Sequence, residues 1–361
     1  MLPYFLLIIL PTVVWCWDKF VRLDQKNPWA HRTKSSSITV FMLIFLLLLS
    51  LRGLKCGNDT IQYLRLFKQY SSKTIEQLFS DETHELGYKI LNNIVGSMTN
   101  NYQYLLAVTS LLCVCPLWYF YKKESEIPVL SIALFLSVAP FSMYFSGIRQ
   151  AIAMSLGIFC WYAAKNKKFV LFLCTVGLAM LFHTSSFVLV VLYPLYHAKI
   201  TKKWLWFVLP AMAAVYILKD DIFDFVLELM WKDYEVTSET GAFMILLLLV
   251  IFAIYSYIMV EDSALDQDTI AMRNILLLSV VLQMFAMLHP LSMRMNYYFL
   301  IYVPILIPKI AKQCKKQFVN LSAISVTVMT LYFLYYFVNM IITDNKDYLN
   351  IFPYIPFWNN P

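Results

Sequence analysis

Long apolar runs, separated by short polar loops, extend along nearly the whole chain. A run of about 20 apolar residues is what an α-helix needs to cross the hydrocarbon core of a bilayer. Hydrophobic residues make up 60% of the sequence and charged residues only 14%, whereas roughly a quarter of the residues of soluble domains are charged. The sequence therefore predicts an all-α polytopic membrane protein in which residues 1–361 form a single integral unit.

About twelve transmembrane helices can be placed in the chain from its apolar runs. Their approximate ranges are 2–17, 38–51, 102–121, 128–146, 148–164, 169–182, 184–196, 204–218, 242–260, 274–289, 295–310 and 319–341. Several of these runs are too short for a perpendicular span, so tilted or re-entrant segments are expected. The first run has no basic leader before it and no small-residue cleavage site after it, which predicts a retained helix.

Lysine and arginine concentrate in alternate loops, and this asymmetry predicts the orientation of the chain. The basic loops contain Lys19, Arg22, Lys26, Arg32, Lys34, Lys122, Lys123, Lys165, Lys167, Lys168, Lys199, Lys202, Lys203, Arg273, Lys309, Lys312, Lys315 and Lys316. Cytoplasmic loops of membrane proteins are enriched in these residues, so both termini are predicted to lie outside. The acidic loop at 261–274 is the one dissenting inner loop.

Three predicted outer segments are long. Residues 52–101 include a stretch in which apolar side chains recur at helical spacing, as in an amphipathic helix on the bilayer surface. Residues 219–241 show the same pattern, and the tail at 342–361 is rich in proline and aromatic residues, which favours packing on the outer surface over a helix. The apolar positions are Leu86, Ile90, Leu91, Ile94 and Val95 in the first segment, and Ile222, Phe225, Val226, Leu229 and Met230 in the second.

Three polar side chains that are far apart in sequence come to the outer side in this topology: Arg149, His183 and Arg294. Charged and imidazole groups at the rim of apolar helices are costly, so they mark a candidate functional site. Arg149 follows Gly147 at a helix N-terminus, a combination that suits a phosphate or pyrophosphate. An interfacial arginine that reaches lipid headgroups is the alternative interpretation.

Two of these residues have polar neighbours with alternative roles. His183 ends an apolar helix, with Ser186 three residues later, and could be a general base, a phosphate donor or a hydrogen-bonded helix end. Arg294 precedes Tyr297 and Tyr298 at helical spacing. That face could bind a phosphate or sugar hydroxyls, or the tyrosines could belong to an ordinary interfacial aromatic belt.

Further candidates lie in the first outer segment. Arg52, Asp59 and Tyr63 follow the second apolar run. Asp59 could be a catalytic carboxylate or the N-cap of a helix that begins at Thr60. Glu85 precedes the predicted surface helix, where it could be catalytic or a partner of the helix dipole.

Several kinds of site have no signature in the sequence. No DxD or paired-carboxylate cluster suggests a divalent metal for a nucleotide-sugar, no glycine-rich phosphate loop occurs, and no Cys/His spacing is typical of zinc. Cys56 is the one cysteine in a predicted outer loop, so no disulfide is expected there. We therefore predict no metal, no cofactor and no nucleic-acid partner.

The motifs around these candidates resemble those of the EpsG-like family of Wzy-type bacterial polysaccharide polymerases. The specific elements are SGIRQ at 146–150 and FHTSS at 182–186; GNDT at 57–60, ELGYKIL at 85–91 and RMNYY at 294–298 are weaker. The resemblance covers about residues 50 to 300 in the same order. Family members often have GTDT where this chain has GNDT.

The resemblance implies an enzyme that joins oligosaccharide repeat units carried on undecaprenyl pyrophosphate, at the outer face of the bacterial cytoplasmic membrane. It implies a metal-independent glycosyl transfer, a relationship to multispan glycosyltransferases of the GT-C type, and O-antigen, capsule or exopolysaccharide as the product. The implied partners are the lipid-linked donor and acceptor, the bilayer, a flippase and a chain-length regulator.

The predicted site combines these residues by role. We expect Arg149 and Arg294, with Arg52 as a third cation, to bind the pyrophosphate, and His183, or else Asp59 or Glu85, to activate the acceptor hydroxyl. Gln150, Tyr63, Ser186, Tyr297 and Tyr298 complete the predicted substrate-binding set. Two other functions remain open: a flippase or exporter of lipid-linked oligosaccharide, which should show polar residues at mid-helix depth, and an acyltransferase on cell-surface glycans, which should face cytoplasmic thioester.

Overall fold

The computed structural model describes residues 1–23, 36–229, 240–343 and 349–359, and these residues are almost entirely helical. Within these ranges there is no β-strand, and an isolated bridge joins Arg52 to Pro356. The prediction of an all-α fold with apolar helices that could span a membrane is confirmed. The basic residues Lys26, Arg32 and Lys34 of the first predicted inner loop lie outside the described ranges.

Eighteen α-helices occur in the described residues. In chain order they are α1 (Leu2–Leu23), α2 (Ser36–Leu51), α3 (Thr60–Ser71), α4 (Ile75–Ser80), α5 (Leu86–Met98), α6 (Tyr102–Glu124), α7 (Pro128–Ser137), α8 (Met143–Ser146), α9 (Ile148–Lys165), α10 (Phe169–Met180), α11 (Leu192–His197), α12 (Leu205–Ile217), α13 (Lys219–Leu229), α14 (Thr240–Ile258), α15 (Gln267–Ala286), α16 (Pro290–Leu300), α17 (Val303–Lys312) and α18 (Val319–Ile342). Short 3-10 helices occupy Thr184–Val191, Lys202–Trp204, Asp262–Ala264, Lys316–Phe318 and Phe357–Asn359.

The number of membrane-spanning helices differs from the twelve predicted. Four helices in the described residues are long and apolar enough to cross a membrane, and a fifth span results if one pair bent by 118° counts as a broken span. The four are Leu2–Phe20, Tyr102–Glu124, Gln267–Ala286 and Lys316–Ile342, and the bent pair is Thr184–His197 with Lys202–Ile217. Other apolar helices, such as α2 and α10, are shorter, so the count of twelve is not confirmed.

Three predicted continuous helices are interrupted. The run 128–146 divides into α7 and α8 around Pro140, and the run 295–310 divides into α16 and α17 just before Pro304. Proline lacks the N–H that a helix interior needs, so a break at these positions costs fewer backbone hydrogen bonds than a break elsewhere. The run 184–196 begins as a 3-10 helix before it continues as α11.

The core is built from helices that are apolar on all sides. Nearly every side chain of α7 and α17 is buried, and α9 packs against α6 and α10. In contrast, no side chain of α12 is buried, and α18 exposes a row of large apolar residues. Such outward apolar faces are what a bilayer would cover.

The three long segments that were predicted to lie outside differ in how much of them the structure describes. In α5 the side chains of Tyr88, Asn92 and Val95 face inward, whereas Ile94 is exposed. The second segment, 219–241, contains α13. Residues 230–239 of this segment lie outside the described part of the chain. The third, 342–361, is described only at 342–343 and 349–359, where its backbone pairs with residues 53–58 and buries Ile351.

Ion pairs connect helices at the end of α9 opposite to Arg149. Lys165, in the last turn of α9, pairs with Asp268, and Asp268 also accepts from the hydroxyl of Tyr196 at 2.5 Å. Lys309 pairs with Glu124 at 2.6 Å, where both side chains are buried. Because α9 has 18 residues, its two ends are roughly 25 Å apart. These pairs therefore fix helix ends that lie far from Arg149.

Candidate active site

Two glycines allow the segments that carry the candidate residues to approach one another. The N–H of Gly87 donates to the Leu181 carbonyl at 2.8 Å, and a Cβ on Gly87 would lie 2.7 Å from that oxygen. Gly57 has a φ of +95°, and a Cβ there would lie 2.5 Å from the carbonyl oxygen of Phe145. A residue with a side chain would be strained at either position. The start of α5 is thereby held against the end of α10, and the 57–60 loop against the residues that precede α9.

Glu85 connects the two most specific sequence motifs. Its Oε2 pairs with Nη1 of Arg149, in the SGIRQ motif. Its Oε1 lies 3.1 Å from Nδ1 of His183 and accepts from the backbone N–H of Thr184 at 3.2 Å and from the Thr184 hydroxyl at 3.4 Å, both in the FHTSS motif. Glu85 occupies the N-cap position of α5 but makes no side-chain capping bond. One carboxylate thus holds together residues of α9, of the turn after α10 and of α5.

The protonation of this cluster follows from its geometry. Burial acts to raise the pKa of Glu85, but the hydrogen bond from His183 and the charge of Arg149 outweigh it and lower the pKa to about 2. The carboxylate is therefore ionised near neutral pH and can only accept hydrogen bonds. His183 must donate through Nδ1, so in neutral imidazole the lone pair lies on Nε2. The side chain of His183 is 20% exposed.

Arg149 pairs with Glu85 and lies near a tyrosine. The positive charge of its guanidinium acts on the hydroxyl of Tyr63, on α3, and opposes the burial that raises the pKa of Tyr63. The ring of Tyr63 packs edge-on against that of Tyr88, with centroids 5.6 Å apart. The Nε of Arg149 is buried and has no partner among the described residues. Among the described residues, the guanidinium is thus paired with Glu85 and keeps a further donor unused.

Helix α16 brings a third part of the predicted set to the same place. The side chain of Gln150 donates to the backbone carbonyl of Arg294 at 2.6 Å. Arg294 itself is an exposed residue. The hydroxyls of Ser185 and Tyr298 lie 3.1 Å apart. The structure therefore places α16 beside both motifs, with the Arg294 side chain accessible.

Two other members of the predicted substrate-binding set, Ser186 and Tyr297, differ in how far they are buried. Ser186 is fully buried, and its hydroxyl has no partner among the described residues. Tyr297, in contrast, is half-buried on α16. The roles of both residues stay predictions.

Arg52 lies apart from this cluster. It is only 1% exposed, its Nη1 donates to the Leu49 carbonyl at 2.6 Å, and its guanidinium lies 6.0 Å from the ring centroid of Phe145. Its backbone bridges to Pro356 of the C-terminal segment. Because the guanidinium is buried away from the Glu85 cluster, the role of Arg52 as a third cation stays a prediction.

Asp59 occupies the N-cap position of α3, as one of its two interpretations predicted. Its side chain makes no capping hydrogen bond, however, so the interaction that this interpretation requires is not made. Asp59 is half-buried, and its charge acts on the hydroxyl of Tyr63. Asp59 and Arg149 therefore act on the same tyrosine hydroxyl with opposite charges.

Sequence reasoning missed three polar residues at this site. Thr184 binds Glu85 and Ser185 contacts Tyr298, and the signal for both was their place in the FHTSS motif. His84 precedes Glu85, and its Nδ1 lies 2.8 Å from the Tyr70 hydroxyl. Burial, together with the positive charge of Arg149, lowers the pKa of His84. His84 therefore adds a neutral imidazole beside the carboxylate.

Comparisons with known proteins identify one relationship. The model of the EpsG family matches residues 37–355, which is most of the chain and includes every residue of the site described above. Neither a curated protein nor a solved structure matches the chain significantly.

Proposed function

Since this chain belongs to the EpsG family of Wzy-type polysaccharide polymerase-like proteins, we propose that it is a glycosyltransferase that joins oligosaccharide repeat units carried on undecaprenyl pyrophosphate. The family and the apolar helices make it a multi-pass membrane protein of polysaccharide biosynthesis. We place the reaction at the outer face of the bacterial cytoplasmic membrane, with O-antigen, capsule or exopolysaccharide as the product.

One observation carries the proposal: the Glu85 carboxylate holds Arg149 with one oxygen and His183 with the other. A glycosyl transfer from a pyrophosphate needs a cation where negative charge develops and a base where a proton is lost. The cluster supplies a cation, Arg149, and a base, His183, on the two oxygens of one carboxylate. The resemblance of the sequence motifs to the family motifs rests on the same residues.

The chemistry assigns one step to each group. Nε2 of His183 accepts the proton of the acceptor hydroxyl, while Glu85 stabilises the imidazolium that forms. The acceptor oxygen then bonds to the anomeric carbon of the donor sugar, and the bond from that carbon to the pyrophosphate oxygen breaks. Undecaprenyl pyrophosphate leaves with the electron pair.

The cations stabilise the leaving group. Arginine presents a planar fork of donors that matches the oxygens of a phosphate, so Arg149 suits this role. Its unused Nε and the exposed side chain of Arg294 provide further donors. Low polarity at the membrane rim strengthens such charge pairing.

The remaining predicted residues would position the sugars. Gln150 and Tyr298 hold the elements of the site together through the Arg294 carbonyl and Ser185, and the half-buried Tyr297 could stack on or bond to a sugar. A flippase and a chain-length regulator are the proposed protein partners, because the lipid-linked units have to arrive outside and the polymer has to stop growing.

A polymerisation assay tests the proposed function. Purified protein would receive the lipid-linked repeat unit of its host in the presence of a chelator, and the products would be sized on a gel. We expect a ladder of repeat units for the natural chain and no ladder for Arg149→Ala. The matched control is Arg65→Ala, because Arg65 is an exposed arginine on α3, the helix that carries Tyr63.

Two results would contradict the proposal. One is the absence of any ladder from folded protein and correct substrate; the other is an unchanged ladder in Arg149→Ala. Release of free sugar or transfer of an acyl group in the same assay would instead support another activity at this site.

A further inference from the structure

We propose that Glu85 is an internal anion that occupies the Arg149 guanidinium in the empty site and is displaced from it by the pyrophosphate of the donor. This inference rests on the proposed function, because it concerns how that site changes when the donor binds. It makes Glu85 a positioning residue that responds to substrate.

The two oxygens of Glu85 have unequal sets of partners. Oε2 contacts Arg149, whereas Oε1 contacts Nδ1 of His183 and both the N–H and the hydroxyl of Thr184. The carboxylate can therefore lose Arg149 and still be held by the three donors at Oε1. Its side chain is 13% exposed, so the pair lies at the rim of the structure where a ligand can reach it.

Arg149 has a second neighbour besides Glu85. The charge of its guanidinium acts on the hydroxyl of Tyr63, on α3, and the side chain of Arg149 is 24% exposed. A carboxylate and a phosphate present the same pair of oxygens to an arginine fork. The position that Glu85 occupies is therefore one that a pyrophosphate oxygen fits.

Charge decides which anion holds Arg149. Glu85 and Arg149 carry opposite unit charges and balance each other in the empty site. A pyrophosphate brings more negative charge than one carboxylate, and two anions on one guanidinium repel each other. Once the pyrophosphate takes Arg149, the charge of Glu85 acts on His183 alone and stabilises its protonated form. Donor binding thereby prepares the base that activates the acceptor.

Binding of inorganic pyrophosphate to the purified full-length chain tests this exchange. Glu85→Gln removes the competing charge but keeps an oxygen that can accept from Thr184. We expect the Kd for pyrophosphate to fall by about tenfold, equivalent to about 1.4 kcal/mol, although polymerisation is lost. A merely structural role for Glu85 would weaken binding instead. Glu82→Gln, which removes an exposed carboxylate from the same loop, should change Kd by less than about twofold because screening limits distant exposed charges.

A double-mutant cycle separates displacement from long-range repulsion. In an Arg149→Gln background, Glu85→Gln should give no gain in pyrophosphate affinity, because the competition for the guanidinium is already absent. An equal gain in that background would overturn the proposal, and so would equal or weaker binding by Glu85→Gln alone. If Glu85→Gln does not fold, Glu85→Ala provides the same comparison.

The binding experiment and the polymerisation assay fail independently. A gain in pyrophosphate affinity without any polymer from the natural chain would uphold the exchange and contradict the polymerase. Polymer from the natural chain without a gain in affinity for Glu85→Gln would uphold the polymerase and contradict the exchange.

Discussion

The Glu85 carboxylate pairs with the Arg149 guanidinium across 64 residues of sequence. The same carboxylate reaches His183, which lies a further 34 residues along the chain from Arg149 and 98 residues from Glu85. A residue of the 52–101 segment therefore completes a site whose other members lie at the ends of two apolar helices. Four predictions follow from these contacts and from the backbone that supports them.

Replacement of His183 by asparagine should abolish polymerisation without unfolding the protein. The amide nitrogen of asparagine can take the place of Nδ1 and donate to Glu85, but asparagine has no basic nitrogen. General base catalysis contributes about 100-fold to 10,000-fold to rates, so kcat should fall by that order. Thermal stability in detergent should change little. Activity close to that of the natural chain would show that another group accepts the proton.

Gly87→Ala should destabilise the protein and reduce its activity. The added Cβ would lie 2.7 Å from the Leu181 carbonyl oxygen, so α5 would move away from α10 and carry Glu85 with it. Crowding of this kind costs about 1–3 kcal/mol. Gly177→Ala is the matched control, because a Cβ there meets no atom within 4 Å and alanine favours helix. Thermal unfolding should show a lower Tm than that of the natural chain for Gly87→Ala and an equal or higher Tm for Gly177→Ala. A Gly87→Ala protein as stable as the Gly177→Ala protein would contradict the close approach.

Tyr63→Phe should weaken the reaction by loosening Arg149. The substitution removes the hydroxyl on which the guanidinium charge acts and leaves the ring that packs on Tyr88. If this hydroxyl interacts with the charged group as strongly as a hydrogen bond does, about 1.5–3 kcal/mol, kcat/KM should fall by about 10-fold to 100-fold. Tyr104→Phe, at a tyrosine that is 60% exposed, should leave kcat/KM unchanged. An equal loss of kcat/KM in the two variants would contradict a specific role for Tyr63.

Acid should remove the stability that Glu85 provides. The pKa of Glu85 is lowered from its ordinary value of 4.5 to about 2, so the folded state binds its proton less readily than the unfolded chain. The stabilisation is therefore fully present above about pH 4.5 and is lost as the pH falls toward 2. The difference in Tm between the natural chain and Glu85→Gln should be constant from pH 7 to about pH 5 and shrink below that. A difference independent of pH down to about pH 3 would contradict the ionised pair.

Much of the site could be predicted because polar residues stand out against apolar helices. Arg149, His183 and Arg294 were found by this contrast, since a charged group beside lipid needs a reason to be there. The same contrast could not show which polar residue of the 52–101 segment belongs to the site. Asp59 and Glu85 both precede a helix, and a capping role and a catalytic role use the same residue type at the same spacing.

Helix continuity was also only partly predictable. Apolar periodicity correctly indicated α6 and α9, but it could not show that the runs around Pro140 and Pro304 are each broken into two helices. A proline in an apolar run is compatible with either a kinked helix or a break, and packing decides between them. The same ambiguity affects the number of membrane spans.

The sequence by itself determined that this chain is an all-helical membrane protein with EpsG-family motifs, because hydropathy and local spacing are properties of neighbouring residues. Only the tertiary structure decided that Glu85 is the partner of both Arg149 and His183, and that Arg52 is buried with its Nη1 on the Leu49 carbonyl instead. Those contacts depend on how glycines let distant backbones approach, at Gly87 with Leu181 and at Gly57 with Phe145. Such approaches join residues far apart in the chain, and no local pattern encodes them.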